Sequence, residues 1–144
     1  MQERKIEIYT DGSCIGNPGP GGWGTLIIID GKEIELSGHE PDSTNNRMEM
    51  TAIIKALEWI RNESGLNHED LQTHKMSIYS DSNLIIQTIN QGWKKKANTD
   101  LWAQIDKLRA WLDISWTWVK AHASNKNNNR VDKMAFDAAN TKLS

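Results

Sequence analysis

Asp30-Gly31 separates two strand-like runs, Trp23 to Ile29 and Glu33 to Ser37. An Asp-Gly pair readily takes the two left-handed positions of a tight turn, so the two runs are expected to fold back on each other as a hairpin. Lys5 to Thr10 alternates and is rich in β-branched and aromatic residues, which predicts a strand. The glycine-rich run Gly16-Asn-Pro-Gly-Pro-Gly-Gly22 that follows it predicts a turn-rich loop. At Asn46 the pattern changes. Glu49, Ile53, Ala56, Leu57 and Ile60 share one face of a helix over Asn46 to Ile60. Beyond it the chain reads as a strand at Met76 to Ser80, a helix at Ser82 to Asn90, a helix at Thr99 to Leu112, a strand at Ile114 to Val119 and a closing helix at Asn128 to Lys142. Three strands in a meander, then strands separated by helices, specify an α/β chain with a five-stranded mixed sheet flanked by helices. Its antiparallel half is made by hairpins and its parallel half by crossovers.

The 144 residues fit one domain, 1–144. No apolar run approaches the ~18 residues of a membrane span, and no signal-type apolar region follows the charged start Met1-Gln-Glu-Arg-Lys5. A single cysteine, Cys14, excludes an internal disulfide and fits a reducing compartment, so a cytoplasmic monomer is expected. The net charge is −2, but it is unevenly spread. Between Asn90 and Lys133 there are nine bases (Lys94, Lys95, Lys96, Lys107, Arg109, Lys120, Lys126, Arg130, Lys133) and four acids, a local +5 against −7 elsewhere. Such asymmetry points to a one-sided anionic partner; the alternative is a solvated lysine surface.

Four acids fall where strands end or helices begin, the places where sites gather in such sheets. They are Asp11, Glu49, Asp81 and Asp132. Each has an ordinary reading. Asn46-x-x-Glu49 has capping-box spacing, Asp81 or Ser82 suits an N-cap, and Asp132 opens the last helix where the dipole favours a carboxylate. Two of them carry more. Glu49 shares its face with Ile53, Ala56 and Ile60, and Asp132 with Ala135, Phe136 and Ala139. Acids at the edge of a core cost several kcal/mol unless a cation compensates, and no lysine or arginine occupies those faces. A hard divalent cation with oxygen ligands would serve.

The chain also resembles type 1 ribonuclease H. The matching residues are Thr10-Asp-Gly-Ser-Cys-Ile-Gly-Asn-Pro-Gly-Pro-Gly-Gly22, Thr44-Asn-Asn-Arg-Met-Glu49, Ser80-Asp-Ser82, Asp100-Leu-Trp102, Trp116-x-Trp-Val-Lys-x-His122 and Asn128-x-Arg-x-Asp132. The resemblance implies an endoribonuclease that cuts the RNA strand of RNA–DNA hybrids, leaving 5′-phosphate and 3′-hydroxyl ends. It implies that Asp11, Glu49, Asp81 and Asp132 bind two Mg²⁺ ions about 4 Å apart, with Mn²⁺ as the alternative metal. His122 matches the family's loop histidine, which shuttles a proton or assists product release. Gly12, Cys14, Asn45, Asn46, Asn83 and Gln87 match positions that contact the RNA strand, and Asn17 and Thr44 positions that touch the DNA strand and its phosphate.

The chain departs from the family pattern at several points. Asn83 stands where glutamine is usual, and Ala121 replaces the glycine before the loop histidine. The long basic protrusion of many bacterial members shrinks to Gly92-Trp93-Lys94-Lys95-Lys96. Trp93 with the three lysines is expected to grip the DNA strand by stacking and phosphate contacts. Trp59, Trp102, Trp111 and one of Trp116 and Trp118 are expected in the core. Two other readings stand beside the enzyme: a non-catalytic hybrid-binding module, and a DNA-directed nuclease of the wider ribonuclease H-like fold.

Overall fold

The computed structural model describes residues 4–121 and 124–141. It contains five strands in the order β3-β2-β1-β4-β5. Strands β1 (Lys5–Cys14), β2 (Gly19–Ile29) and β3 (Lys32–Ser43) form the meander, with antiparallel β1–β2 and β2–β3 ladders. The hairpin turn is the one anticipated: Asp30 and Gly31 have φ of 48° and 89°, and Ile29 pairs with Lys32. After α1 (Asn45–Asn62) and α2 (His68–Thr73), β4 (Lys75–Ser80) runs parallel to β1. Helices α3 (Asn83–Gln91) and α4 (Thr99–Arg109) lead to β5 (Ile114–Trp118), parallel to β4, and α5 (Lys126–Ala139) closes the chain.

Several boundaries differ from the sequence reading, each for a physical reason. β2 begins at Gly19, so the expected loop is confined to a few residues and most of its glycines lie within a strand. β3 runs on through Pro41 to Ser43, which proline permits because β3 is an edge strand. α4 stops at Arg109. Its last carbonyls are taken by Arg61, whose Nε donates to Leu108 O (2.7 Å) and Nη2 to Ala110 O (3.0 Å). α2 was not anticipated, although Asn67 and Asp70 form a capping box at its start. The predicted end of α5, Lys142, lies outside the described residues.

The sheet separates two apolar layers. The larger packs Ile6, Ile8, Ile27, Ile53, Leu57, Ile60, Ile78, Ile85, Trp102 and Ile105 between the sheet and α1, α3 and α4. The smaller joins Tyr9, Leu26 and Val131 beneath α5. Trp59 and Trp116 pack partly against the larger layer as expected, and Trp23 is buried between sheet and α1. Trp111 is a correction: it is 45% exposed. With φ at 58° it turns out of the line of α4, and its ring lies under the Arg61 guanidinium, 4.7 Å away, and beside His68. No described helix is long and apolar enough to cross a membrane.

Candidate active site

The register decides which acids can meet. Along β1, side chains alternate between the two faces. Thr10 pairs with Thr25, whose hydroxyl donates to Ala52 O of α1, so this row faces α1. Asp11 pairs with Gly24, which lies against Met134 and Val131 of α5, so Asp11 faces α5. Gly12 returns to the α1 face, where the backbone of Met48 and Glu49 occupies the place a side chain would take. Helix α1 therefore lies directly on the strand, and Glu49 reaches Asp11 past a residue with no side chain. Asp81 follows Ser80, which pairs with Thr10, so it emerges beside Asp11 where the parallel β1–β4 ladder ends. β1 itself runs on to Cys14, so Asp11 lies within the strand rather than at its end as expected.

One carboxylate oxygen from each of Asp11, Glu49 and Asp81 lies within 4.8 Å of the others. Asp132 stands outside that trio but close enough to interact with the Asp11 carboxyl. Burial, together with the charges of Asp81 and Asp132, raises the Asp11 pKa to about 8, against the pull of its hydrogen bond with Glu49. Burial and the adjacent Asp11 push Glu49 well above the usual carboxylate range. Glu49 Oε2 is buried with no hydrogen-bond partner among the described residues. Clustered carboxyl oxygens, one of them buried without a partner among the described residues, are the donor set that a hard divalent cation takes. The residues present therefore fit a metal.

The ordinary readings of these acids are corrected. The α1 cap is Thr44, which accepts from Arg47 N, and Glu49 lies beyond the first turn. The α5 cap is Asn125, and Asp132 lies in the second turn rather than opening the helix. Ser82 caps α3, as anticipated. Glu49 and Asp132 are thus not needed as caps. Phe136, expected inward beside Asp132, is 58% exposed, whereas Ala135 and Ala139 are buried. His122 lies outside the described residues.

Most of the expected substrate residues gather around the acids. Asn17 Oδ1 accepts from Asn45 N (2.9 Å), which brings the β1–β2 loop against the start of α1 with Thr44 and Asn46. Cys14 Sγ donates to Gly19 O and Ser43 O (3.2 Å each), which ties β1 to the end of β3. Asn83 is exposed at the start of α3, and Gln87 lies one turn further on the same helix. Residues Lys94, Lys95 and Lys96 share a shallow groove with Asn46 and Thr88, and Trp93 is 49% exposed.

The lysines are not equivalent. Lys95 Nζ pairs with Asp106 (3.2 Å) and sits 5.4 Å over the Trp102 ring, whereas Lys94 and Lys96 are exposed. Elsewhere in the basic stretch Arg109 pairs with Asp106, Arg130 with Glu33 and Glu35, and Lys133 with Asp137. Much of the local positive charge is therefore neutralised within the fold. Two residues were missed by the sequence reading. Arg47 grips Asp100 through both guanidinium ends (3.1 and 2.8 Å) and Asn98 (3.1 Å). Trp118, 46% exposed, donates its indole N–H to Asp81 O (3.2 Å). Arg47 and Asp100 stand in two matched motifs and Trp118 in a third, but none of these motifs says which residue its side chain meets.

Comparison with known proteins agrees with this geometry. The RNase H family model matches residues 3–140. A ribonuclease H of Chromobacterium violaceum is 44% identical, covering 92% of this chain and 93% of its own. One of Ehrlichia canis is 41% identical, covering 91% and 92%. Among solved structures, LC11-RNase H1 in complex with an RNA/DNA hybrid superposes with a TM-score of 0.78 at 28% identity, covering 97% of this chain and all of the other. With the family model spanning nearly the whole sequence and the acids brought together as its fold requires, the chain belongs to the RNase H family.

Proposed function

We propose that this chain is a divalent-metal-dependent endoribonuclease that hydrolyses the RNA strand of RNA–DNA hybrids, leaving 5′-phosphate and 3′-hydroxyl ends. The observation that carries the reading is the carboxylate trio of Asp11, Glu49 and Asp81 within 4.8 Å. It stands in a chain at least 40% identical to several ribonucleases H over nine-tenths of their length. Membership of the family makes it a hydrolase, and the hybrid bound to LC11-RNase H1 supports the substrate.

Asp11, Glu49, Asp81 and Asp132 would hold the metal, two Mg²⁺ ions in our reading. When bound, the metal supplies a water activated for attack and neutralises charge on the phosphate and leaving oxygen. The chain's own groups do the rest. Asp11 and Glu49 would hold the cation as carboxylates, and because burial raises the pKa of both, protons would compete with the metal for them. Gly12, Cys14, Asn45, Asn46, Asn83 and Gln87 are assigned to the RNA strand, where contact with the 2′-hydroxyl distinguishes RNA from DNA. Asn17 and Thr44 are assigned to the DNA strand, with Trp93, Lys94 and Lys96 along the groove beside α1. His122 is assigned proton transfer or product release. In our reading residues 1–144 form one catalytic domain that acts as a monomer. The Cys14 thiol, a donor to two carbonyls, fits a reducing cytoplasm.

The test compares labelled RNA–DNA hybrid, duplex RNA and duplex DNA, each with Mg²⁺ and with Mn²⁺. Cleavage confined to the RNA of the hybrid is expected. Tight binding without cleavage would make the chain a binding module, and cleavage of duplex DNA would make it a DNA-directed nuclease.

A further inference from the structure

Trp118 is the last residue of β5, and its ring is half exposed although strand and sheet could have buried it. A large aromatic left at a surface forgoes apolar burial, so its place calls for another explanation. The indole N–H supplies one, since it donates to the backbone carbonyl of Asp81 at 3.2 Å. Other bonds fix the same turn. Val119 N donates to Ser80 O (2.9 Å), and Ser82 N donates to Ser80 Oγ (3.0 Å). Ser82 then caps α3. From the far end of α3, Asn90 Nδ2 donates to Trp116 O (3.0 Å), so α3 and β5 are tied to each other as well as to β4. The Asp81 peptide is thus held in a closed loop of β4, α3 and β5, and the Trp118 side chain reaches Asp81 itself.

We propose that Trp118 is a positioning residue for Asp81: its indole N–H fixes the peptide that carries this acid and thereby sets the affinity of the carboxylate cluster for its metal. The inference rests on the reading of Asp81 as a metal ligand. Groups that orient ligands from behind commonly change metal affinity by about 10-fold or more when removed. An acid on a strand-to-helix turn is more exposed to misplacement than one within a helix such as Glu49 or Asp132. Trp118 acts through the backbone of Asp81, so its loss does not remove a ligand. It allows the ligand to wander.

Trp118→Phe keeps the ring and deletes the donor; Trp118→Ala deletes both. Mg²⁺ binding to each protein without nucleic acid is measured by calorimetry, beside the metal-free melting temperature and the kinetics on hybrid. For W118F the expected result is metal affinity weaker by about 10-fold, a metal-free melting temperature little changed, and activity recovered by raising Mg²⁺ with KM for hybrid unaltered. Wild-type Mg²⁺ affinity in W118F overturns the inference. So does a defect confined to KM for hybrid, which would make Trp118 a substrate contact. D81N is run in parallel. If D81N also binds Mg²⁺ as the wild type does, the reading of Asp81 as a ligand fails; if only D81N is weakened, the role of Trp118 alone fails.

Discussion

Asp11 and Gly24 are paired across the β1–β2 ladder, and the missing side chain of the glycine is what lets α5 lie close to the acid. A Cβ on Gly24 would stand 2.8 Å from Met134 Cβ and 3.0 Å from Val131 O. Gly22 is more crowded still, against the backbone of Ala135 and Ala139. The two glycines therefore seat the helix that carries Asp132. Gly24→Ala is expected to destabilise the protein by roughly 1–3 kcal/mol through overpacking, measured by urea unfolding, and to weaken Mg²⁺ binding. Wild-type stability in that variant would show that α5 is not seated on Gly24.

Asp11→Asn should lower hybrid cleavage by about 100-fold or more without harming the fold. Burial makes the Asp11 carboxylate costly to ionise, with a pKa near 8, so a neutral amide there removes a cost that the carboxyl otherwise escapes by holding a proton or a metal. The metal-free melting temperature of D11N should equal or exceed that of the wild type, and its rise on adding Mg²⁺ should shrink. Retained cleavage would remove Asp11 from the catalytic set.

The three consecutive lysines should separate by function. Lys94 and Lys96 are exposed, so neutralising each should raise KM for hybrid. The salt slope should fall by about 0.9 for each phosphate that is no longer neutralised. Lys95 is held by Asp106 and Trp102 and should act as a strut. Asp106→Asn discriminates the roles. If Lys95 is a strut, D106N raises KM as Lys95→Met does, and the double variant is no worse than either. If Lys95 touches phosphate, removing its acidic partner lowers KM.

The Arg47–Asp100 pair joins the start of α1 to the start of α4 and gives a pH signature. The hydrogen bonds from Arg47 hold the Asp100 carboxyl at about 2, below its ordinary 3.8. A depressed acid stabilises the fold above its unfolded pKa and loses that contribution as pH falls through the folded one. Asp100→Asn should therefore lower the melting temperature modestly at neutral pH, the pair being largely exposed. The gap should close between about pH 4 and pH 2. A gap of constant size down to pH 2 would place its origin in packing rather than charge.

Much of the fold was legible because its signals are local. Asp30-Gly31 fixed the β2–β3 hairpin, the change of period at Asn46 marked α1, and Ser82 marked α3. The errors lie where a local pattern has two tertiary outcomes. Gly19 to Gly22 read as turn, but all three of those glycines sit in β2, where α1 presses on Gly21 from one side and α5 on Gly22 from the other. Trp111 fell at a core spacing, yet a left-handed backbone turned it outward onto Arg61 and His68. Asn46-x-x-Glu49 had capping-box spacing, but the cap is Thr44, two residues earlier.

The sequence by itself determined the order of the strands and of every helix but α2, together with the family, and it singled out the four acids, since these depend on periodicity, turn chemistry and motifs that are contiguous in the chain. Tertiary structure decided how the acids meet. Asp11 faces α5, Glu49 comes from the opposite face past the bare backbone of Gly12, and Asp81 is held from β5 by Trp118. It also decided which lysine is withdrawn from the surface. Those outcomes depend on register, on the closeness of helices to strands and on contacts between residues far apart in sequence, for example 37 positions for Trp118 and Asp81.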